Sequence, residues 1–371
     1  MKILIVLNNL RVANGVATVI MNQYDTLIEH KIDVDFIQFL DFDSPYIEHI
    51  KNNDGKIFLV KKNKNSIKQM KRILKDNQYD IVHINQMNAQ TVELAIMAHH
   101  YGIKNVIFHS HNTKIPGGIK RRILEKGCNI TYKIFADSLV ACSEQAGKDS
   151  FGKKNFKILR NAIDVQKFQF DRNERNKIRK ELDVSDDIFV LGTVCRYASQ
   201  KNPCFMIDIV NELIKSGMNI KFLWVGSAPK KDDPILIKMK EKVKEYGIEN
   251  EMLWVGSKSD VYKWYSAMDA FVMPSLWEGL GITYIEAQAN SLPTFASDVV
   301  PKETQVTDLI QYYSLDLGAK EWAQEIKKCK IRNEKNIIDY TPEIRKAGYD
   351  LFTAKADLYQ IYKTIVDIGK K

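Results

Sequence analysis

Short β-rich runs alternate with amphipathic helical stretches along the whole chain, and the alternation occurs twice. In the first half the runs are Ile3–Leu7, Val34–Phe39, Ile57–Val60, Ile81–Asn85, Val106–His111, Leu139–Ser143 and Lys157–Arg160. Helical patterns such as Ala17–Ile28, Ser66–Lys75, Ala89–Tyr101 and Ile119–Phe135 separate them. A strand-helix alternation of this kind predicts a parallel sheet covered by helices on both faces. After Arg172–Lys180, read as a charged, glycine-free connector, the pattern restarts with strands at Phe189–Cys195, Ile220–Val225, Met252–Val255, Ala270–Pro274 and Pro293–Ala296. The expectation is an α/β chain of two Rossmann-like domains, joined near residues 165–185 and facing each other across a cleft. Parallel sheets bind ligands at the carboxyl ends of their strands. The last helical stretch, Pro342–Gly369, either caps the second domain or crosses back onto the first.

With 371 residues, 45% hydrophobic and 27% charged, the chain has the composition of a soluble globular protein and can bury two cores. No run approaches the ~20 apolar residues of a membrane-spanning helix. The apolar start Ile3–Leu7 gives way to Asn8-Asn9 too soon for a signal peptide, so a cytoplasmic protein is expected. Five scattered cysteines without a C-x-x-C predict reduced, buried thiols. The net charge of +9 is unevenly spread: residues 1–160 carry 24 Lys and Arg against 15 Asp and Glu, the remainder 31 of each sign. A basic first half suits an anionic partner.

The strongest local signal is Pro274-Ser-Leu-Trp-Glu278-Gly-Leu-Gly281, followed by a helix that carries Glu286. The amides of Gly279, Leu280 and Gly281 at a helix start favour an anion such as phosphate. Glu278 and Glu286 are eight residues apart, roughly 12 Å along a helix, about the reach of a diphosphate between a sugar and a ribose. Carboxylates suit both ends, because each accepts hydrogen bonds from neighbouring hydroxyls. The plainer reading is an amphipathic helix with a capping glutamate and an exposed one. Arg196 and Lys201, in the loop after Phe189–Cys195, are cations fit to grip a diphosphate and stabilise it as it leaves; alone they could be solvated.

Weaker signals stand in the first half. Gly15 opens a helix after the first strand, without a G-x-G-x-x-G or P-loop pattern. His109 and His111 share a strand face; His111, at the strand tip, is the better functional candidate, a metal site the lesser reading, and His83 reads as buried. Asp33-Val-Asp35 and Asp41-Phe-Asp43 match a D-x-D cation pattern but read better as surface carboxylates or turn formers. Basic clusters at Lys61-Lys62-x-Lys64, Lys68–Lys75 and Lys120–Lys126 suit either an anionic membrane surface or a solvated face.

Gly15, His111, Arg196, Lys201 and the Glu278/Glu286 pair, in this order, resemble the retaining glycosyltransferases of family 4, of GT-B architecture, and among them the bacterial members that build capsular or extracellular polysaccharide. The resemblance spans nearly the whole chain, with Glu278-x7-Glu286 and its Gly-Leu-Gly as the specific part. Asn14-Gly15 and Asn161-Ala162 depart from the family's usual Gly-Gly and Asn-Gly. It implies an acceptor domain over 1–165, a nucleotide-sugar domain over 166–345 and a helix over 346–371 packing back on the first. It also implies His111, Arg196, Lys201 and Glu278 as catalytic residues. Donor binding would fall to Gly15 (on the acceptor side), Arg196, Lys201, Glu278, Gly279, Leu280, Gly281 and Glu286.

The implied reaction moves a hexose or N-acetylhexosamine from a nucleotide-sugar, with uracil as the base, to a saccharide acceptor carried on undecaprenyl diphosphate. Retention would proceed on one face of the sugar, without metal or other cofactor. The basic first domain would meet the inner membrane surface peripherally. Nucleic acid is not expected as a partner, because the basic clusters lack interleaved aromatics. The competing readings are a UDP-sugar 2-epimerase of the same fold and a non-catalytic partner subunit.

Overall fold

The computed structural model describes residues 1–11, 15–41, 44–61, 63–111, 127, 130–228, 232–333 and 337–368, without the side chains of 353–357 and 368. Asn14, Asp43, Lys62, the basic stretch Lys120–Lys126 and Cys128 therefore lie outside the described residues. The chain divides into two compact units, Met1–Ala162 with the stretch from Leu351, and Ile163–Asp350.

The first unit is built on seven parallel strands: β1 (Lys2–Leu7), β2 (Asp33–Gln38), β3 (Ile57–Leu59), β4 (Ile81–Ile84), β5 (Val106–Ser110), β6 (Ser138–Ala141) and β7 (Lys157–Ile158). Their order is β3-β2-β1-β4-β5-β6-β7. Residues Ile3 to Leu7 of β1 are wholly buried, which is why this central strand is a continuous apolar run and not an alternating one. Helix Leu351–Ile368 packs on helix Gly15–Glu29 in this unit. It contributes Leu358, Ile361, Tyr362 and Ile365 to the core, the i, i+3, i+4, i+7 spacing of one helical face.

The second unit repeats the plan with six parallel strands: β8 (Phe189–Val194), β9 (Ile220–Val225), β10 (Met252–Gly256), β11 (Ala270–Met273), β12 (Thr294–Ser297) and β13 (Ile310–Tyr313). Their order is β10-β9-β8-β11-β12-β13. In both sheets the order reverses beside the first strand, between β1 and β4 and between β8 and β11. Loops that diverge at such a point open a crevice at the carboxyl ends of the two strands.

Three sequence expectations are corrected. Arg172–Lys180 is not merely a charged connector but most of a helix, Arg172–Glu181. Its cap Asp171 accepts from the amides of Asn173 and Glu174 at 2.8 and 3.1 Å. Its Arg175 and Arg179, one turn apart, are buried against Asp269, with nitrogen–oxygen distances of 2.7 and 3.3 Å. Asp269 also accepts from the amides of Val190 and Arg332, so a fully buried carboxylate organises one end of this sheet. The stretch Pro342–Gly369 is two helices, Thr341–Lys346 and Leu351–Ile368. They are parted at Gly348, whose φ of +80° suits glycine. Strand β13 has no counterpart among the expected runs, because Ile-Gln-Tyr-Tyr neither alternates clearly nor forms an apolar block.

Candidate functional site

In the second unit the loops after β8 and β11 are stitched together. The Leu276 amide donates to the Gln200 carbonyl at 2.8 Å, and the Gln200 side-chain amide donates to the Trp277 carbonyl at 2.9 Å. Lys201 closes a short 3-10 turn, Ser199–Lys201. Its ammonium donates to Glu278 Oε1 at 2.5 Å, Ser275 Oγ donates to the same oxygen at 2.6 Å, and Gln200 reaches Oε2 at 3.3 Å. Glu278 is only 4% exposed. A buried carboxylate must be paired and hydrogen-bonded to remain charged, and these donors do that. The structure thus brings Lys201 and Glu278 into direct contact, which the spacing of the sequence does not announce. Gln200 and Ser275 were not singled out from the sequence. Arg196 is exposed, with no ion pair among the described residues.

The loop Glu278–Gly281 precedes the helix, which runs Ile282–Ala289 with Gly281 as its N-cap at φ +84°. Glu278 and Glu286 are therefore not two points on one helix, and the 12 Å helical rise does not apply. A Cβ on Gly281 would meet the Tyr284 ring at 2.6 Å, so both conformation and space call for glycine. Glu286 is on the helix and buried, and Tyr265 Oη donates to its Oε2 at 2.6 Å. Burial pushes the Glu286 carboxyl up to about 7, and the Tyr265 hydrogen bond partly opposes that rise. Tyr265, on helix Val261–Ala267, escapes sequence reasoning because only the fold brings it to Glu286.

In the first unit a row of three histidines lies beside the corresponding reversal. His83 on β4 and His109 on β5 are wholly buried, with rings stacked at 5.3 Å and His83 Nε2 3.3 Å from His109 Nδ1. His83 Nδ1 is 2.6 Å from the Tyr362 hydroxyl of helix Leu351–Ile368. The His111 ring lies 3.9 Å from that of His109, as two residues on one strand face should. Its Nε2 is 2.9 Å from Asn85 Oδ1. Burial pushes His83 and His111 down to about 3 and His109 well below its usual value, so all three are neutral imidazoles at neutral pH. His109 Nε2 and His111 Nδ1 are buried with no hydrogen-bond partner among the described residues. Gly15 starts helix Gly15–Glu29, and a Cβ there would meet nothing within 4 Å.

The D-x-D reading fails at Asp33-Val-Asp35. Asp35 is a buried carboxylate, not a surface one. It accepts from the Lys56 amide at 2.9 Å and the Tyr79 hydroxyl at 2.8 Å, with Lys2 at 3.2 Å. Asp43 of the second D-x-D lies outside the described residues. Among the described residues no group of three or more His, Cys, Asp or Glu could hold a metal ion. No described helix is long and apolar enough to cross a membrane. Cys142 and Cys195 are buried free thiols, while Cys204 and Cys329 are free but only partly buried. A hollow of about 420 Å³ lined by Lys133, Asp137, Lys154 and Lys157 lies where β6 and β7 begin, at the opposite end of the sheet from His111.

Two family models match the chain: "Glycosyltransferase Family 4" over residues 13–167 and "Glycosyl transferases group 1" over residues 188–329. The putative glycosyltransferase EpsF of Bacillus subtilis is 26% identical over 94% of this chain and 93% of its own length. An Escherichia coli UDP-Gal:alpha-D-GlcNAc-diphosphoundecaprenol alpha-1,3-galactosyltransferase is 25% identical over 77% of this chain and 76% of its own. Among solved structures, Anabaena HepE in complex with UDP and glucose superposes with a TM-score of 0.80 at 16% identity, over 98% of this chain and 99% of that one. WaaG, a glycosyltransferase of lipopolysaccharide biosynthesis, superposes with a TM-score of 0.70 at 15% identity, over 99% of each chain. Each half of the sequence thus matches a glycosyltransferase model, and each half folds as the Rossmann-like sheet that such a match calls for. The chain carries a family 4 glycosyltransferase domain followed by a group 1 glycosyltransferase domain, and its fold is GT-B.

Proposed function

We propose that this glycosyltransferase moves a hexosyl or N-acetylhexosaminyl group from a UDP-sugar to a saccharide carried on a lipid diphosphate, in the synthesis of a capsular or extracellular polysaccharide. The observation that carries the reading is the Lys201–Glu278 pair at the β8/β11 reversal, beside the Gly279–Gly281 turn and the buried Glu286. In this reading Arg196 and Lys201 hold the donor diphosphate, and amides of Gly279, Leu280 and Gly281 contact phosphate and sugar. Glu278 accepts from sugar hydroxyls and Glu286 from the ribose. His111 contacts the sugar, and Gly15 lines the acceptor side. The uridine donor is favoured by the UDP named with HepE and the UDP-Gal named for the E. coli relative. The lipid diphosphate is favoured by that relative's acceptor.

The reaction we favour retains configuration. The bond from the anomeric carbon to the diphosphate breaks, the acceptor oxygen bonds on the same face, and the acceptor proton passes to the departing phosphate oxygen. In this scheme Arg196, Lys201 and the turn amides stabilise the charge on that leaving group. No metal enters this scheme, because those cations and amides meet the developing charge. Retaining glycosidases instead form a covalent intermediate on a carboxylate, and a trapped glycosyl-enzyme would refute the same-face route. The basic first domain would rest on the anionic inner membrane surface, where Ile130 and Ile134, both exposed, add apolar contact. Sedimentation with anionic vesicles, and its loss in neutral ones, tests that part.

Thermal shift with UDP-Glc, UDP-Gal, UDP-GlcNAc, UDP-GalNAc and GDP-Man tests the donor. A ligand at a hundred times its Kd adds about 2.7 kcal/mol of stability. One UDP-sugar should stabilise the protein and transfer label to a lipid-linked saccharide. Stabilisation by GDP-Man alone would contradict the uridine reading.

A further inference from the structure

His111 holds two ring nitrogens in different settings, and the difference traces to one neighbour. Asn85 follows β4 directly, its own amide bonded to the Val6 carbonyl at 2.8 Å, and its side chain is buried. Its Nδ2 donates to the His83 carbonyl at 3.4 Å. Turned over, the amide would set its oxygen against that carbonyl, acceptor against acceptor, so Oδ1 must face His111. A carbonyl oxygen only accepts. The nitrogen 2.9 Å away, His111 Nε2, must therefore carry the proton, and in a neutral imidazole the lone pair is then left on Nδ1. That Nδ1 is the buried atom without a partner among the described residues.

We infer that Asn85 is a positioning residue: it fixes His111 as the Nε2–H tautomer and thereby presents Nδ1 as an acceptor for a hydroxyl of the donor sugar. The inference rests on the reading that His111 faces the sugar. It adds a specificity element, because a site built around an unpaired acceptor discriminates against a sugar that lacks the matching hydroxyl. The neighbouring row serves the same end. His83 and His109 are enclosed between Tyr362 and His111, and remaining neutral they spare His111 a positive neighbour.

The test is ¹⁵N-histidine labelling of the full chain, with His111→Gln to assign the resonance, followed by kinetics of Asn85→Leu and Asn85→Asp. Wild-type His111 should show a protonated, pyrrole-like Nε2 and a pyridine-like Nδ1. Asn85→Leu, which has nearly the same shape and no acceptor, should blur this pattern and lower kcat at least tenfold while UDP affinity stays within error. Asn85→Asp still offers His111 an oxygen acceptor and, when protonated, a donor to the His83 carbonyl, so in that form it should keep the Nε2–H pattern and recover part of the lost kcat. A protonated Nδ1 in the wild type overturns the inference, and so does an Asn85→Leu variant with unchanged tautomer and turnover. Equal loss in the two variants overturns it as well. If His111→Gln itself turns over normally, the reading of His111 as a sugar contact fails, and the resonance pattern reports that outcome separately.

Discussion

The two units share a strand order and differ in what stands where that order reverses. In the second unit the reversal is charged and already paired: Lys201 on Glu278, with Ser275 and Gln200 also donating to the carboxylate. In the first it is neutral and incomplete: three imidazoles in a row, two with a buried nitrogen that has no hydrogen-bond partner among the described residues. One topology therefore supplies two locations, and the residues at each decide the chemistry. The charged reversal suits a diphosphate, which can exchange places with Glu278 as the partner of Lys201. The neutral one suits sugar hydroxyls, which need acceptors and gain little from a fixed charge.

The largest effect expected bears on what supports the charged side. Asp269 holds Arg175 and Arg179 in the core, and removing one partner of a buried ion pair costs about 3–5 kcal/mol. Asp269→Ala should therefore lower the melting temperature sharply and unfold the second unit first, as hydrogen exchange would reveal. An unchanged melting curve would break the claim that the buried Asp269 carboxylate and its two arginines organise this unit.

Lys201→Ala comes next. It takes the Lys201 ammonium away from the buried Glu278 and, on the proposed reading, removes a group that stabilises the leaving diphosphate. Losing one such stabilising donor costs ~10²–10³ in kcat. Lys201→Ala combined with Glu278→Gln should regain stability without regaining turnover. Recovery of turnover in the double variant would mean that the pair is only structural.

The third expectation concerns Glu286. Its carboxyl is raised to about 7 by burial, from an ordinary 4.5. Between those values the folded protein holds the proton more tightly than the unfolded chain, so this group's contribution to stability falls as pH rises from about 4.5 to 7. If the carboxylate form binds the ribose, donor affinity should rise over the same range and level off above pH 7. Glu286→Gln should flatten both trends, as pH-dependent melting and calorimetric titration with UDP would record. The smallest effect is that of Tyr265→Phe. Loss of one hydrogen bond to a charged group costs about 1.5–3 kcal/mol at most, and the midpoint of the affinity curve should move to higher pH. A midpoint moving down would contradict the Tyr265–Glu286 link.

The β-α alternation could be read because parallel strands buried on both faces must be apolar runs, and crossovers must be helices. Glu278, Glu286 and Lys201 could be read because they sit in short segments whose strand, turn and helix are consecutive in sequence. What escaped was whatever depends on neighbours distant along the chain. Asn85 is 26 residues from His111, Tyr265 is 21 from Glu286, and Gln200 is 78 from Glu278. Nothing local marks these partners. Arg172–Lys180 misled for the opposite reason: its charges look solvated until Asp269 supplies a buried partner for two of them. The helical distance assigned to Glu278 and Glu286 failed because Gly281, with its positive φ, delays the helix until Ile282.

The central claim is that the UDP part of the donor sits at the charged reversal of the second unit. Hydrogen–deuterium exchange with and without saturating UDP measures this directly. The account predicts slower exchange over residues 196–202 and 275–286, with little change over 83–85 and 106–111. Slower exchange confined to the first unit, or none in the two second-unit segments while UDP is bound, would contradict it.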